Sequence, residues 1–245
     1  MISKKKIDIT LIYIIFLSFF SFFFNQHFGN IGINPIDSFF SFNAGYDILN
    51  GHYPFKDYWT IAGPFIALTQ ASLFKIFGVS WSSYVFQASI YNVIIVLVVF
   101  YVFKKFNLNI HFCFLYAFLL SILAYPSVGT PYVDHQSSYL SVISILIFIL
   151  GLKTNLKIYW FLLPIILVIS FLTKQAPTGH IFIIISLLSF IYFIFNFDIK
   201  KIILGLLGSS LILSIFFFTL FFADISFSSF LNQYILFPIS LGESR

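Results

Sequence analysis

Residues 84–103 read YVFQASIYNVIIVLVVFYVF, an apolar run without a charged side chain that is followed at once by Lys104-Lys105. A membrane-spanning helix needs about 20 mostly apolar residues, and lysines typically mark its cytoplasmic end. Six further apolar runs occur in the 245-residue chain. We therefore predict an all-α polytopic membrane protein, a single membrane domain over 1–245 with about seven transmembrane helices. The predicted spans lie near 7–24, 84–103, 110–125, 137–152, 158–173, 179–197 and 202–222.

The overall composition supports the same fold class. Apolar residues make up 60% of the chain and charged residues only 9%, against about 25% charged in soluble domains. This excludes a cytosolic enzyme, a secreted disulfide scaffold and a disordered protein. Cys113, the single cysteine, cannot form an internal disulfide and is predicted to be a small core residue. The net charge of +5 is explained by topology, so no nucleic acid partner is expected.

The N-terminus predicts an uncleaved signal anchor. Lys4-Lys5-Lys6 precedes the first apolar run, and no small-residue cleavage site follows Phe24. We expect the first run to stay as a span of the plasma membrane, with the N-terminus in the cytoplasm.

The apolar stretch Pro64–Phe77 decides the remaining topology. Its 14 residues reach about 21 Å as a helix, less than the hydrocarbon core of about 30 Å. If it does not cross, nine of the 13 basic residues face the cytoplasm; if it does cross, only six do. The positive-inside rule therefore predicts a surface helix within a long outer loop, 25–83. Six of the eight acidic residues then also lie outside, where we expect any chemistry to occur.

The outer loop has helix signals of its own. Asn34-Pro35 is a helix start and Asn50-Gly51 a helix stop, so we predict a juxtamembrane helix over 35–49. Asp37 would lie in its first turn, where it either completes a cap with Asn34 or acts as a general base at the mouth of an outer cavity.

Two further outer segments carry ionisable residues. Asp134-His135 precedes the span near 137–152, as a first-turn helix charge or as part of a functional site. Lys174 follows the fifth span, as a snorkelling lysine or as a counter-charge for a lipid phosphate. For Asp57 the alternatives are a site role, and a pairing with Lys56 or an interfacial hydrogen bond. No known zinc spacing is present, so a metal site stays undetermined.

The first outer loop resembles that of the GT-C superfamily of polytopic glycosyltransferases, in particular enzymes similar to protein O-mannosyltransferases and to the aminoarabinose transferase of lipid A. The match covers the order of spans and loops in the seven-helix N-terminal module. Its motif positions are Asp37, Ala44, Gly51, Tyr53, Pro54, Asp57, Tyr58, Trp59, Gly63 and Pro64, then Asp134-His135 and Thr173-Lys174-Gln175.

The resemblance implies transfer of a sugar from a polyprenyl-phosphate carrier to an acceptor on the outer face. It implies Asp37 as base and Asp134 as a second essential carboxylate, with His135 and Lys174 near the phosphate. Asp57 and Tyr53 are expected to bind substrate. Cationic side chains or a divalent metal ion would stabilise the leaving phosphate.

The chain departs from the family in two respects. Ser38 follows Asp37 where the family often has a second acid. Family members are about twice as long, so the sequence predicts a fragment, a reduced member, or a chain that needs a partner for the missing half. The alternative function is a non-catalytic membrane protein: a transporter, a flippase subunit or an inactive homologue. Sparse polar residues in mid-span, Asn92 among them, favour transfer over transport.

Overall fold

The computed structural model describes residues 8–32 and 38–243. The structure is 78% helical, and the described residues contain no strand, only an isolated bridge between Pro54 and Tyr58. Five of the described helices are long and apolar enough to cross a membrane. The protein is therefore an all-α membrane protein, as the composition predicts.

Every predicted apolar run forms a helix, and so does the predicted surface segment. Their bounds differ from the predictions by a few residues at most. In chain order the helices are α1 (Ile9–Gly29), α2 (Ser38–Leu49), α3 (Pro64–Phe77), α4 (Trp81–Lys105), α5 (Ile110–Leu123), α6 (Val133–Lys153), α7 (Ile158–Phe171), α8 (Thr178–Phe195), α9 (Ile199–Phe222), α10 (Phe227–Leu231), a π-helix (Asn232–Leu236) and α11 (Phe237–Glu243).

Helices α5 and α7 are shorter than the other predicted spans. Each has 14 residues and therefore reaches about 21 Å. The helix α3 has the same length and the predicted bounds, with Pro64 at its first position and Gly78, at φ 82°, just beyond its end. A proline can begin a helix because its missing N–H would be unpaired there, and glycine adopts positive φ without strain.

The chain divides into two compact units, and the first comprises α1, α4 and α5. Buried asparagines link its helices. The Asn92 amide donates hydrogen bonds to the carbonyls of Ser21 and Ser121, both at 3.0 Å, and the Asn25 amide donates to Ser89 Oγ at 2.9 Å. Polar groups in apolar surroundings stabilise helix association because they have few other partners. Asn92 is thus a packing residue within this unit.

The second unit contains α2, α3 and α6 to α11. Helices α2 and α3 pack through small residues, Ala44 against Ala67 and Ala71. Helices α6, α7 and α8 meet at buried hydroxyl groups: Ser141 Oγ lies 3.0 Å from Ser170 Oγ, and Ser170 Oγ lies 3.2 Å from Thr178 Oγ1. Small hydroxylated residues allow close approach of membrane helices, so this seam fixes the ends of α6 to α8 that carry the candidate site.

Candidate functional site

A cleft of about 240 Å³ lies in the second unit, and three separate parts of the chain line it. The first part is Phe40 and Ser41 of α2 with the loop residues Ile61 and Ala62. The second is the start of α6, and the third is the turn between α7 and α8. The lining residues from these last two parts are Tyr132, Val133, Asp134, Thr173, Lys174 and Gln175. The cleft therefore combines segments that are far apart in sequence, with one carboxylate and one ammonium group on its wall.

Asp134 and Lys174 form an ion pair in this cleft, with Lys174 Nζ donating to Asp134 Oδ1. Their side chains are 41% and 34% exposed, so a ligand can reach both groups. Asp134 lies in the first turn of α6, where the helix dipole favours a negative charge, but no side chain caps this helix. Lys174 is held by a bond from its backbone N–H to the carbonyl of Ser170 at 3.2 Å. Asp134 is thus a first-turn acid, and it also lines the cleft.

Glycine at position 63 brings the loop before α3 against the end of α7. A Cβ atom at this position would lie 1.9 Å from the carbonyl oxygen of Leu172 and 2.6 Å from that of Thr173. The next residues continue the contact, since the Phe65 N–H donates to Leu172 O at 3.2 Å. Only a residue without a side chain permits this approach, which places Ile61 and Ala62 beside Lys174 in the cleft wall.

Two glutamines brace the cleft: Gln175, a motif position of the resemblance without an assigned role, and Gln233, which the sequence did not single out. Gln175 Nε2 donates to the carbonyls of Ile61, at 2.8 Å, and of Tyr234, at 2.7 Å. Gln233, in the π-helix, accepts from Thr60 N at 3.1 Å and donates to Phe55 O at 3.2 Å. Both amides satisfy loop backbone groups, so they fix the loop that forms one side of the cleft.

Tyr234 adds a third brace from the π-helix. Its hydroxyl donates to the carbonyl of Phe171, and its ring packs on Phe55. Burial raises the pKa of Tyr234 far above its usual value. Phe55 has a φ of 68° and is buried, a conformation that costs energy and that persists only where packing enforces it. The π-helix that carries Tyr234 therefore holds the first loop in place.

The predicted substrate residues Asp57 and Tyr53 form a closed turn. Asp57 Oδ2 accepts a hydrogen bond from Tyr53 N at 2.7 Å, and the Asp57 N–H donates to Tyr53 O at 2.9 Å. Neither residue lines the cleft with Asp134. Asp57 is not paired with Lys56, which instead contacts Asp224 at 3.1 Å. This geometry favours a positioning role for Asp57 within its own turn.

Tyr58 follows this turn and has a buried hydroxyl group without a hydrogen-bond partner among the described residues. Burial, together with the carboxylates of Asp47 and Asp57, raises the pKa of Tyr58 to about 12. Tyr58 is therefore neutral at any physiological pH.

His135 and Gln136 follow Asp134 on α6. The ring of His135 makes edge contacts with Tyr132 and Tyr139, at 5.9 and 6.0 Å between centroids. Gln136 is fully buried, and neither atom of its amide has a hydrogen-bond partner in the described part of the chain. A buried unpaired amide is costly, so Gln136 is the most unusual polar group next to the cleft.

Asp37, the predicted base, lies outside the described residues, as do Asn34 and Pro35 of its predicted helix start. Among residues 8–32 and 38–243, no three His, Cys, Asp or Glu side chains lie close enough together to hold a metal ion. Of the described residues that line the cleft, only Asp134 offers a carboxylate, and it is paired with Lys174. These residues do not supply a metal-ligand set, so we derive no step through a metal.

An apolar groove of about 380 Å³ lies elsewhere in the second unit, between α3, α7 and α9. Tyr53 and Phe55 line it, together with side chains such as Leu68, Ile169 and Phe216. Tyr53 thus faces apolar surroundings, away from the Asp134–Lys174 pair.

Comparison of the chain with protein-family models, with curated proteins and with solved structures gives no match. Its function is therefore argued from its own residues and geometry.

Proposed function

We propose that this protein is a membrane glycosyltransferase, which moves a sugar from a polyprenyl-phosphate carrier to a hydroxyl acceptor on the outer face of the plasma membrane. The observation that carries the proposal is the cleft with the Asp134–Lys174 pair. All three segments that line it belong to regions that the charge distribution predicts to be outside. Two of the few ionisable residues of this apolar chain, Asp134 and Lys174, thus meet in one cleft, which supports the proposal.

The cleft also supports the predicted topology. If α3 crossed the membrane, Ile61 would lie on one side of it and Asp134 and Lys174 on the other. These residues line one cleft instead, and α3 begins beside Leu172. We therefore propose seven spans with α3 as a surface helix and the N-terminus in the cytoplasm. Helices α5 and α7 would cross with the help of flanking residues and local thinning of the bilayer.

Lys174 and Asp134 have complementary roles in this proposal. A sugar phosphate entering the cleft competes with Asp134 for the Lys174 ammonium group. As the bond between the sugar carbon and the phosphate oxygen breaks, negative charge grows on the phosphate and Lys174 stabilises it. The acceptor oxygen forms the new bond to the sugar, and a carboxylate takes the proton that the hydroxyl group loses.

The carboxylate that takes the proton is proposed to be Asp37, on the sequence resemblance alone. Asp134 then orients Lys174 before the donor binds, which makes it the second essential carboxylate. The cleft volume lies slightly below the roughly 300 Å³ at the lower end of typical ligand pockets, so it suits one small polar group and not a whole lipid. The carrier chain and any partner that completes the site would lie outside it.

A transfer assay on the purified chain tests the proposal. The donor is a polyprenyl-phosphate sugar in mixed micelles, and released polyprenyl phosphate is the product measured. We expect Asp37→Asn, Asp134→Asn and Lys174→Gln each to lower the rate by about 100-fold or more, since each removes an acid–base or electrostatic contribution. A matched control is available in the same unit: Lys56 and Asp224 form an ion pair away from the cleft.

The control variants Lys56→Gln and Asp224→Asn should retain wild-type rates. Equal loss in the control pair would mean that the charge effects are not local to the cleft. Wild-type rates in both Asp134→Asn and Lys174→Gln would refute the assignment of the cleft. A wild-type chain that turns over no donor would favour the non-catalytic alternative.

A further inference from the structure

A second feature, separate from the candidate site, lies on the first unit between α1 and α4. At the end of α4 these helices enclose a cleft of about 630 Å³. Lys104 and Lys105 stand at its rim, and Ile14 and Leu97 line its apolar part. The cleft is thus charged at one end and apolar at the other.

Neither lysine contacts a carboxylate within residues 8–32 and 38–243. Lys104 Nζ donates to Thr10 Oγ1 at 3.2 Å, and Lys105 Nζ lies 5.4 Å from the centre of the Tyr101 ring. Neither ammonium group forms an ion pair within the described residues. The Asp8 carboxylate interacts electrostatically with Lys104, but it caps α1 by accepting from Thr10 N at 2.9 Å and forms no ion pair with Lys104 or Lys105. Among the described residues, Asp8 and the half negative charge of the α4 C-terminus offset these two positive charges only in part, so net positive charge remains for an external anion.

The apolar part continues along the same two helices. A second cleft of about 410 Å³ is lined on α1 by Ser18 and Phe22, and on α4 by Ile90 and Ile94. Ser18 and Phe22 follow Ile14 at four-residue steps, so they lie on the same helix face. From position 104 back to 90, α4 rises about 21 Å, more than half of a hydrocarbon core of about 30 Å. The two clefts together follow the depth of one leaflet.

We infer that this groove binds an anionic glycerophospholipid, with its phosphate at Lys104 and Lys105 and one acyl chain along Ile14, Leu97 and Ile94. Charge complementarity selects the headgroup, because basic clefts between helices at a membrane surface bind anionic lipid headgroups. The apolar continuation selects a lipid over a free phosphate, since an apolar groove offers a water-soluble anion nothing. The inference does not depend on the proposed transfer activity.

The test uses the full chain in detergent, titrated separately with phosphatidylglycerol, phosphatidylcholine and glycerol phosphate. Binding is read as the rise in melting temperature and as phospholipid retained after gel filtration, measured by mass spectrometry. Of the three compounds, we expect only phosphatidylglycerol to bind the protein and to raise its melting temperature. The double variant Lys104→Gln/Lys105→Gln should weaken phosphatidylglycerol binding by about 30-fold, because each lysine near a membrane surface contributes about 1 kcal/mol of attraction. Leu97→Trp should weaken it too, by filling the groove without a change of charge.

The matched control is Lys153→Gln/Lys200→Gln, which removes two exposed lysines from the other unit. It should leave phosphatidylglycerol binding unchanged. If this control lost as much phosphatidylglycerol binding as the Lys104/Lys105 variant, the lipid would be attracted to positive charge in general, and the inference would be overturned. It would also be overturned by equal binding of phosphatidylcholine, stabilisation by glycerol phosphate to the same extent, or full retention of lipid by Leu97→Trp. Circular dichroism checks that each variant is folded before it is scored.

Discussion

The substitution Gly63→Ala tests how closely the loop before α3 packs on the end of α7. The added methyl carbon would lie 1.9 Å from Leu172 O, about 1.5 Å closer than an ordinary van der Waals contact. The three nearest atoms, Leu172 O, Leu172 C and Thr173 O, all belong to the backbone, so no flexible side chain can move aside. The loop and the α7 end must separate, and the bond from Phe65 N to Leu172 O is lost with them.

The expected cost follows from two contributions. Overpacking at a close contact costs about 1–3 kcal/mol, and a lost backbone hydrogen bond costs about 1 kcal/mol. We therefore expect about 3 kcal/mol of destabilisation. For a chain of this size each kcal/mol lowers the melting temperature by about 2–4 °C, which gives a decrease of about 6–12 °C.

The measurement is thermal unfolding of the detergent-solubilised protein, followed by tryptophan fluorescence. Gly32→Ala is the matched control, because a Cβ atom there would meet nothing within 4 Å. It should shift the melting temperature by no more than about 2 °C. If Gly63→Ala unfolds within about 2 °C of the wild type, the close packing of this loop is refuted. In the transfer assay, Gly63→Ala should also lose activity, because Ile61 and Lys174 would separate.

Three further predictions concern the same unit. Gln233→Leu should destabilise the protein by about 2–3 kcal/mol in thermal unfolding, because two loop backbone groups lose their partner; Gln233→Glu, which keeps one acceptor, should cost less. The difference in tyrosinate absorbance between wild type and Tyr58→Phe should titrate at a pH of about 12. The substitution Asp47→Asn should lower this titration midpoint, because it removes a nearby negative charge. Folding raises the Tyr58 pKa above its ordinary value of 10.0, so the contribution of Tyr58 to stability is complete below about pH 10 and is lost as the pH rises through about 12. Equal alkaline unfolding midpoints in wild type and Tyr58→Phe would contradict this. Asp224→Asn should change the free energy of unfolding by less than about 0.5 kcal/mol, because the ion pair of Asp224 with Lys56 is exposed and asparagine tolerates the φ of 53° at this position. A larger loss would show that the ion pair is stronger than its exposure indicates.

Local signals in the sequence predicted much of the fold. Helix α3 has the predicted bounds because Pro64 and Gly78 act on the backbone directly. The stop at Asn50-Gly51 ends α2 at Leu49, with Gly51 at φ 85°. Helix α6 begins at Val133, before the predicted 137, so Asp134 lies within its first turn. Apolar periodicity does not mark a helix start that consists of polar residues.

The candidate site was only partly predictable. Asp134 and Lys174 stood out because charges are rare in this chain, but their pairing joins positions 40 residues apart. Gln175 was a motif position without an assigned role and Gln233 was not singled out, since uncharged amides are unremarkable in composition. Their partners are backbone carbonyls and amides, which every residue has, so no sequence pattern specifies such bonds. Only the fold brings Gln233 to Phe55.

The bond between Gln233 and Phe55 also has a consequence for biosynthesis. Its two residues are 178 positions apart. At about 5–20 residues per second, the ribosome makes Gln233 roughly 10–35 s after Phe55. During that interval the loop at 55–60 has left the ribosome and lacks the partner that holds it. The nascent chain therefore completes its cleft only after Gln233 has been made, and until then this loop is accessible to chaperones and proteases.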